Sequence, residues 1–155
     1  MELREPYKDI NRTIQMLREQ VVDSIAYAVD QCPKVDTPEQ LFKWLKTNVR
    51  YKNDPPGYEL IQSMPTLFSP FTHKTGVHYG SGQGDCDCFT VTALACMYVQ
   101  GWRDFGIVLC GRKKKAPVHI FAYINDGGDL KAFDLTAPYY GVHREYKYMQ
   151  YLPQR

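Results

Sequence analysis

Apolar positions recur at helical spacing in the first third of the chain and at strand spacing in the last third. Ile10, Ile14, Leu17, Val21, Ile25 and Val29 fall three or four residues apart with charges between them, which predicts a helix over 6–31 that stops before Pro33. A second helix is predicted to open at Thr37-Pro38-Glu39-Gln40, with Thr as cap, Pro in the first turn and Gln three residues past the cap. Leu41, Trp44, Leu45 and Val49 supply its apolar face. A third helix is predicted from about Asp85 to Gln100, with Phe89, Ala93, Leu94 and Met97 as a buried stripe, Cys96 nearby and Gly101 as its end. Strands are then expected over 106–110, 118–124, 130–135 and 146–152. Asn125-Asp126-Gly127-Gly128 joins the middle two as a hairpin turn. Helices followed by consecutive strands predict an α+β fold, in which N-terminal helices and a central helix pack on an antiparallel sheet.

Residues 51–84 break this regularity. Proline, glycine and scattered aromatics exclude a long regular element there, and a connection of such length in a compact domain is often functional. We read it as a loop that wraps the core and forms one wall of a cleft. With neither repeat nor boundary in view, the chain is expected to be a single domain over 1–155. Its parts are a helical part (1–50), the cleft-forming loop (51–84), and the central helix with its sheet (85–155).

Composition narrows the classes. The chain has 155 residues, 44% hydrophobic and 23% charged, which suits a soluble globular domain. A net charge of +2 and one short run, Lys113–Lys115, carry no nucleic-acid footprint; the run reads as a solvated loop tip. No apolar run approaches the ~20 residues needed to cross a bilayer, so no membrane partner is expected. The charged start, MELREPYKD, lacks a signal core, which points to the cytoplasm. Release inside a virion would leave the same sequence. Five cysteines are an odd number for a disulfide framework and read as free thiols.

The candidate chemistry follows from order and placement. Cys86 stands where the glycine-rich GQGD runs into the third helix, at the positive end of the helix dipole, which favours thiolate. His119 lies in PVHIFAYI and Asp134 in KAFDLT. Cysteine, histidine and aspartate are the nucleophile, the base and the group that orients the base. A hairpin centred on Asp126–Gly127 pairs positions that sum to about 253, which sets His119 and Asp134 side by side. The free amides of the helix start are expected to hold an oxyanion, with Gln83 and Asp87 as further oxyanion or cleft candidates. Against this, Asp85 and Asp87 flank the cysteine, and negative charge disfavours thiolate. Asp85 is the natural helix cap.

Bland readings stand beside these. Cys96 and Cys110 are expected in the core and Cys32 at a helix end. His73, His78 and His143 are read as solvated loop residues, with His73 and His78 as candidates to line the cleft. Tyr139, Tyr140, Tyr146, Tyr148 and Tyr151 are expected to pack an edge strand. Cys86 and Cys88 with His73, His78 or His119 do not match the spacing of a structural zinc site, so neither metal nor cofactor is expected.

The segment GDCDCFTVTALACMYVQGW resembles the nucleophile helix of transglutaminase-like cysteine proteins, whose small microbial and phage branch often carries GDCDD. PVHIFAYI and KAFDLT resemble the histidine and aspartate strands of that superfamily, in the same order. YKNDPPGYELIQSMP resembles the D-P-x-G-x-E segment that precedes the cysteine there. The resemblance covers about residues 40–138, and Cys88 departs from it where a second Asp is usual. It implies a transglutaminase-like core with Cys86, His119 and Asp134 as triad. The implied activity is amide or peptide hydrolysis, or acyl transfer, on a peptide, protein or amide substrate through a thioester. The superfamily also has silent members, so a binding or structural module, for instance a virion component, is the alternative.

Overall fold

The computed structural model describes residues 2–3, 10–113 and 117–154. The elements run β1 (Glu2–Leu3), α1 (Ile10–Gln31), α2 (Pro38–Asn48), β2 (Arg50–Tyr51), β3 (Glu59–Leu60), α3 (Met64–Leu67), β4 (Phe71–Thr72), β5 (His78–Tyr79), β6 (Gln83–Gly84), α4 (Cys86–Val99), β7 (Phe105–Gly111), β8 (His119–Asp126), β9 (Asp129–Phe133) and β10 (Tyr148–Pro153). The fold is α+β. An antiparallel four-stranded sheet, in the order β10-β7-β8-β9, packs against α4, and α1 covers α4 from the other side. Residues 6–9 of the predicted first helix, and Lys114 and Lys115 of the lysine run, lie outside the described residues; Lys113 is exposed.

Local chemistry explains the boundaries. Thr37 Oγ1 accepts from Gln40 N (3.2 Å) and Gln40 Oε1 accepts from Thr37 N (3.3 Å), the reciprocal box expected at the start of α2. Gly127 and Gly128 have φ of 66° and 96°, which makes a two-residue turn that only glycine accepts without strain.

Two expectations are corrected. The register of the β8–β9 hairpin sums to 255, not 253: Ala122 pairs with Phe133 and Asp126 with Asp129. The turn centres on Gly127–Gly128 because both glycines take the left-handed conformation. The stripe predicted for α4 is in fact a helix buried all round, from Cys86 to Met97, because α1 and the sheet enclose it from opposite sides.

Residues 51–84 hold only two-residue strands and one four-residue helix. The segment is nonetheless packed: Ile61, Met64, Leu67 and Tyr79 are buried. At its ends, β2 pairs parallel with β6, Arg50 opposite Gln83 and Tyr51 opposite Gly84. This pairing clamps the approach to Cys86. Gly82, at φ 79°, sits so close that a Cβ there would meet Asn48 O at 2.1 Å.

Candidate active site

α4 begins where the sequence places it. Asp85 is the N-cap, and its Oδ1 accepts from Asp87 N at 3.3 Å. The Cys88 amide also bonds to this carboxylate. These amides therefore serve the cap, which corrects the expectation that the first turn as a whole is open to an oxyanion. Asp87 is fully buried, so it does not line a cleft. Gln83 is half-buried, and its Oε1 accepts from Gly80 N at 2.7 Å, which fastens the side chain into its own turn.

Cys86 is 9% exposed at the first position of the helix. Cys88 faces inward, fully buried, and its thiol donates to Leu60 O at 3.1 Å. Burial, then the charges of Asp85 and Asp54, push the Cys88 thiol well above its ordinary range. It is an inert core thiol. Cys110 behaves likewise, pushed up to about 12 by burial and by Asp134.

His119 and Asp134 meet on β8 and just beyond β9. His119 Nε2 lies 2.7 Å from Asp134 Oδ2, with both side chains largely buried. Asp134 directly follows Phe133, the last residue of β9, which pairs with Ala122, and the chain turns there, Ala137 N donating to Asp134 O at 2.9 Å. Thr136 completes the arrangement: its hydroxyl and its N–H donate to Asp134 Oδ1 at 2.7 and 3.0 Å. One carboxylate oxygen is thus held by the backbone turn and the other is left to the histidine. Burial raises the Asp134 pKa, but the His119 hydrogen bond and charge and the two Thr136 bonds outweigh it and hold the carboxyl below its usual range. Oδ2 accepts from Nε2–H, so Nδ1 is the nitrogen available to act as a base.

Along β8, Ile120, Ala122 and Ile124 belong to the core around α4, while Phe121 and Tyr123 form a second cluster on the other face. His119 shares the second face by alternation, its ring 5.6 Å from that of Phe121. α4 packs on the opposite face, the one that carries Ile120, Ala122 and Ile124. Thr90 Oγ1, one turn into α4, lies 2.7 Å from Cys86 O and 3.4 Å from Ile120 O. A cleft of about 790 Å³ opens beside His119 and Asp134, with Tyr51, Thr136, His143 and Tyr146 among its walls. Tyr51 packs edge-on against Phe89 of α4, and Tyr146 stacks on His119 at 6.0 Å. Both phenols are raised, by burial first, with the charge of Cys86 among the further causes; Cys86 itself is not among the residues that line this cleft.

Three features escaped the sequence reading. Thr136 had a signal in the Asp-x-Thr spacing, which suits a side-chain-capped turn. Tyr146 had none, because its place depends on how the chain returns over the sheet. The third is a carboxyl cluster: oxygens of Asp54, Glu59 and Asp85 lie within 4.8 Å of one another. Burial, then the neighbouring Asp85, push the Asp54 carboxyl up so that it keeps its proton at neutral pH. The upstream DPPGYE and the GDC that contains Cys86 thus meet in space. His73 is buried, not solvated as expected, with its ring against Tyr58 at 4.9 Å. His143 is partly buried and stacks on Phe121. Tyr148 and Tyr151 are exposed on the edge strand β10.

No family model, curated protein or solved structure matches this chain significantly. Among the described residues no helix is long and apolar enough to cross a membrane.

Proposed function

We propose that the chain is a transglutaminase-like cysteine enzyme that hydrolyses an amide or transfers an acyl group through a thioester on Cys86. The reading rests on one observation above the others, the buried His119–Asp134 couple at 2.7 Å, anchored by Thr136. In the proposed cycle His119 takes the Cys86 thiol proton at Nδ1. The thiolate attacks the acyl carbon and the imidazolium returns the proton to the leaving amine. Asp134 Oδ2 stabilises the positive ring and holds its tautomer. Water, or a second amine, then releases the acyl group from sulfur with His119 again as base. The substrate is a peptide, protein or amide, and the setting is the cytoplasm or a virion.

One observation favours a silent binding or structural module instead. Cys86 is nearly buried, and it follows a capping aspartate that belongs to a carboxyl cluster. Alkylation by iodoacetamide, followed by intact mass across pH, separates the two. An enzyme shows a fast-reacting thiol, assigned to Cys86 by peptide mapping, that is lost in Cys86→Ser, slowed near neutral pH in His119→Ala and unchanged in Cys88→Ser. Equal, slow alkylation of wild type and His119→Ala, with unchanged thermal unfolding, makes the module the better account.

A further inference from the structure

A second thiol pair lies away from the cleft. Cys32 is the residue after α1, and Cys96 sits in the middle of α4, about 15 Å along the helix axis from Cys86. The two thiols influence each other, Cys96 drawing the Cys32 pKa down and Cys32 pushing the Cys96 thiol well up, and the Cys32 thiol itself donates to Pro33 O at 3.7 Å. Gln100, one turn after Cys96 on the same face of α4, donates from Nε2 to Cys32 Sγ at 3.4 Å and to Pro33 O at 2.7 Å. Its Oε1 accepts from Val35 N at 3.3 Å. One side chain therefore pins the bend after α1 against α4 and holds the Cys32 sulfur there. Cys32 is partly exposed, whereas Cys96 is fully buried.

From this geometry we infer that Cys32 and Cys96 are an oxidisable pair, which a hydroperoxide converts to an intramolecular disulfide tying α1 to α4. The division of labour follows from the surroundings. Cys32 has solvent access and a hydrogen-bond donor on its sulfur, Gln100 Nε2, which favours thiolate. Cys96 has neither solvent nor a donor of its own, and reacts only with what Cys32 presents to it. The Cys32 thiolate attacks one oxygen of hydrogen peroxide; an S–O bond forms, the O–O bond breaks and the departing hydroxide is protonated to water. The Cys96 sulfur then attacks Cys32 Sγ of the sulfenic acid. The S–S bond forms, the S–O bond breaks, and hydroxide leaves as water with the Cys96 proton. Two thiols are oxidised by two electrons and one peroxide is reduced to two waters. The bridge spans 64 residues, a loop long enough to constrain the unfolded chain strongly.

The test is titration of the reduced full-length protein with hydrogen peroxide, an iodoacetamide quench, intact mass and non-reducing peptide mapping. The expected result is a loss of about 2 Da carried by a Cys32–Cys96 cross-linked peptide, reversed by dithiothreitol, with a rise in Tm of about 10 °C. Cys32→Ser abolishes the cross-link and the rise. Cys96→Ala abolishes both and leaves Cys32 as a sulfenic acid trapped by dimedone; Cys86→Ser changes neither. Oxidation of Cys32 only to sulfinic or sulfonic acid, or a cross-link from Cys32 to any other cysteine, overturns the inference.

Discussion

Asp134 offers the sharpest test of the His119 couple, because two substitutions there separate its structural role from its chemical one. Its carboxylate receives three hydrogen bonds, from His119 Nε2, Thr136 Oγ1 and Thr136 N. Asp134→Ala removes all three and leaves buried donors without acceptors. Breaking a buried charged pair costs about 3–5 kcal/mol, and the mostly buried setting of this one places it within that range. A chain of 155 residues gains about 0.3 kcal/mol of unfolding entropy per degree, so a loss of about 4 kcal/mol lowers Tm by roughly 12 °C. Asp134→Asn keeps the oxygen that Thr136 holds and turns an amide NH₂ toward His119. The cost is only about 1–2 kcal/mol, since one charge-assisted bond becomes neutral. Yet that NH₂ donates to Nε2 and drives the ring proton to Nδ1, where it can no longer act as base. In the proposed triad, alkylation of Cys86 at neutral pH then falls about 10²-fold, while the protein remains nearly as stable as wild type. The sign of the pH effect is also set. The Asp134 pKa is depressed on folding, so its contribution is present above the ordinary carboxyl range and disappears as pH falls through the folded value. Calorimetry should find the Tm gap between wild type and Asp134→Ala closing toward acid pH. A gap under about 2 °C at neutral pH, or one that widens in acid, refutes the couple as a stabilising pair.

Two further outcomes follow from the site's surroundings. Asp54 is raised to about 9 on folding, so the folded state keeps a proton that the unfolded chain gives up above about pH 4. Wild-type stability should fall as pH climbs through this window, by up to about 1.4 kcal/mol per unit, and Asp54→Asn should flatten the slope and unfold at higher temperature at pH 9; thermal melts that are pH-independent in both proteins would count against the cluster. Gly82→Ala forces a Cβ onto Asn48 O in a left-handed conformation and should cost about 3 kcal/mol or more, read as a lower urea midpoint; a neutral result would show that the β2–β6 clamp does not need this close approach.

Much of the fold was legible because local signals agreed with the tertiary outcome. The capping box at Thr37, the helix start at Asp85, the four strands and the glycine turn are decided by residues a few positions apart. The order of Cys86, His119 and Asp134 was visible for the same reason. Tertiary structure decided the rest. Whether α4 carries a stripe or is buried all round depends on α1 closing over the face opposite the sheet, a contact between segments far apart in sequence. The hairpin register shifted by two in its sum because backbone conformation at Gly127 and Gly128, not symmetry of the polar run, sets the turn. Asp54 and Asp85 lie 31 positions apart, and only the packed 51–84 segment brings their carboxyls together and raises the pKa of both. Sequence by itself determines where a side chain stands along an element. The electrostatics of that side chain belong to the fold, because dielectric and neighbouring charge are properties of what packs against it.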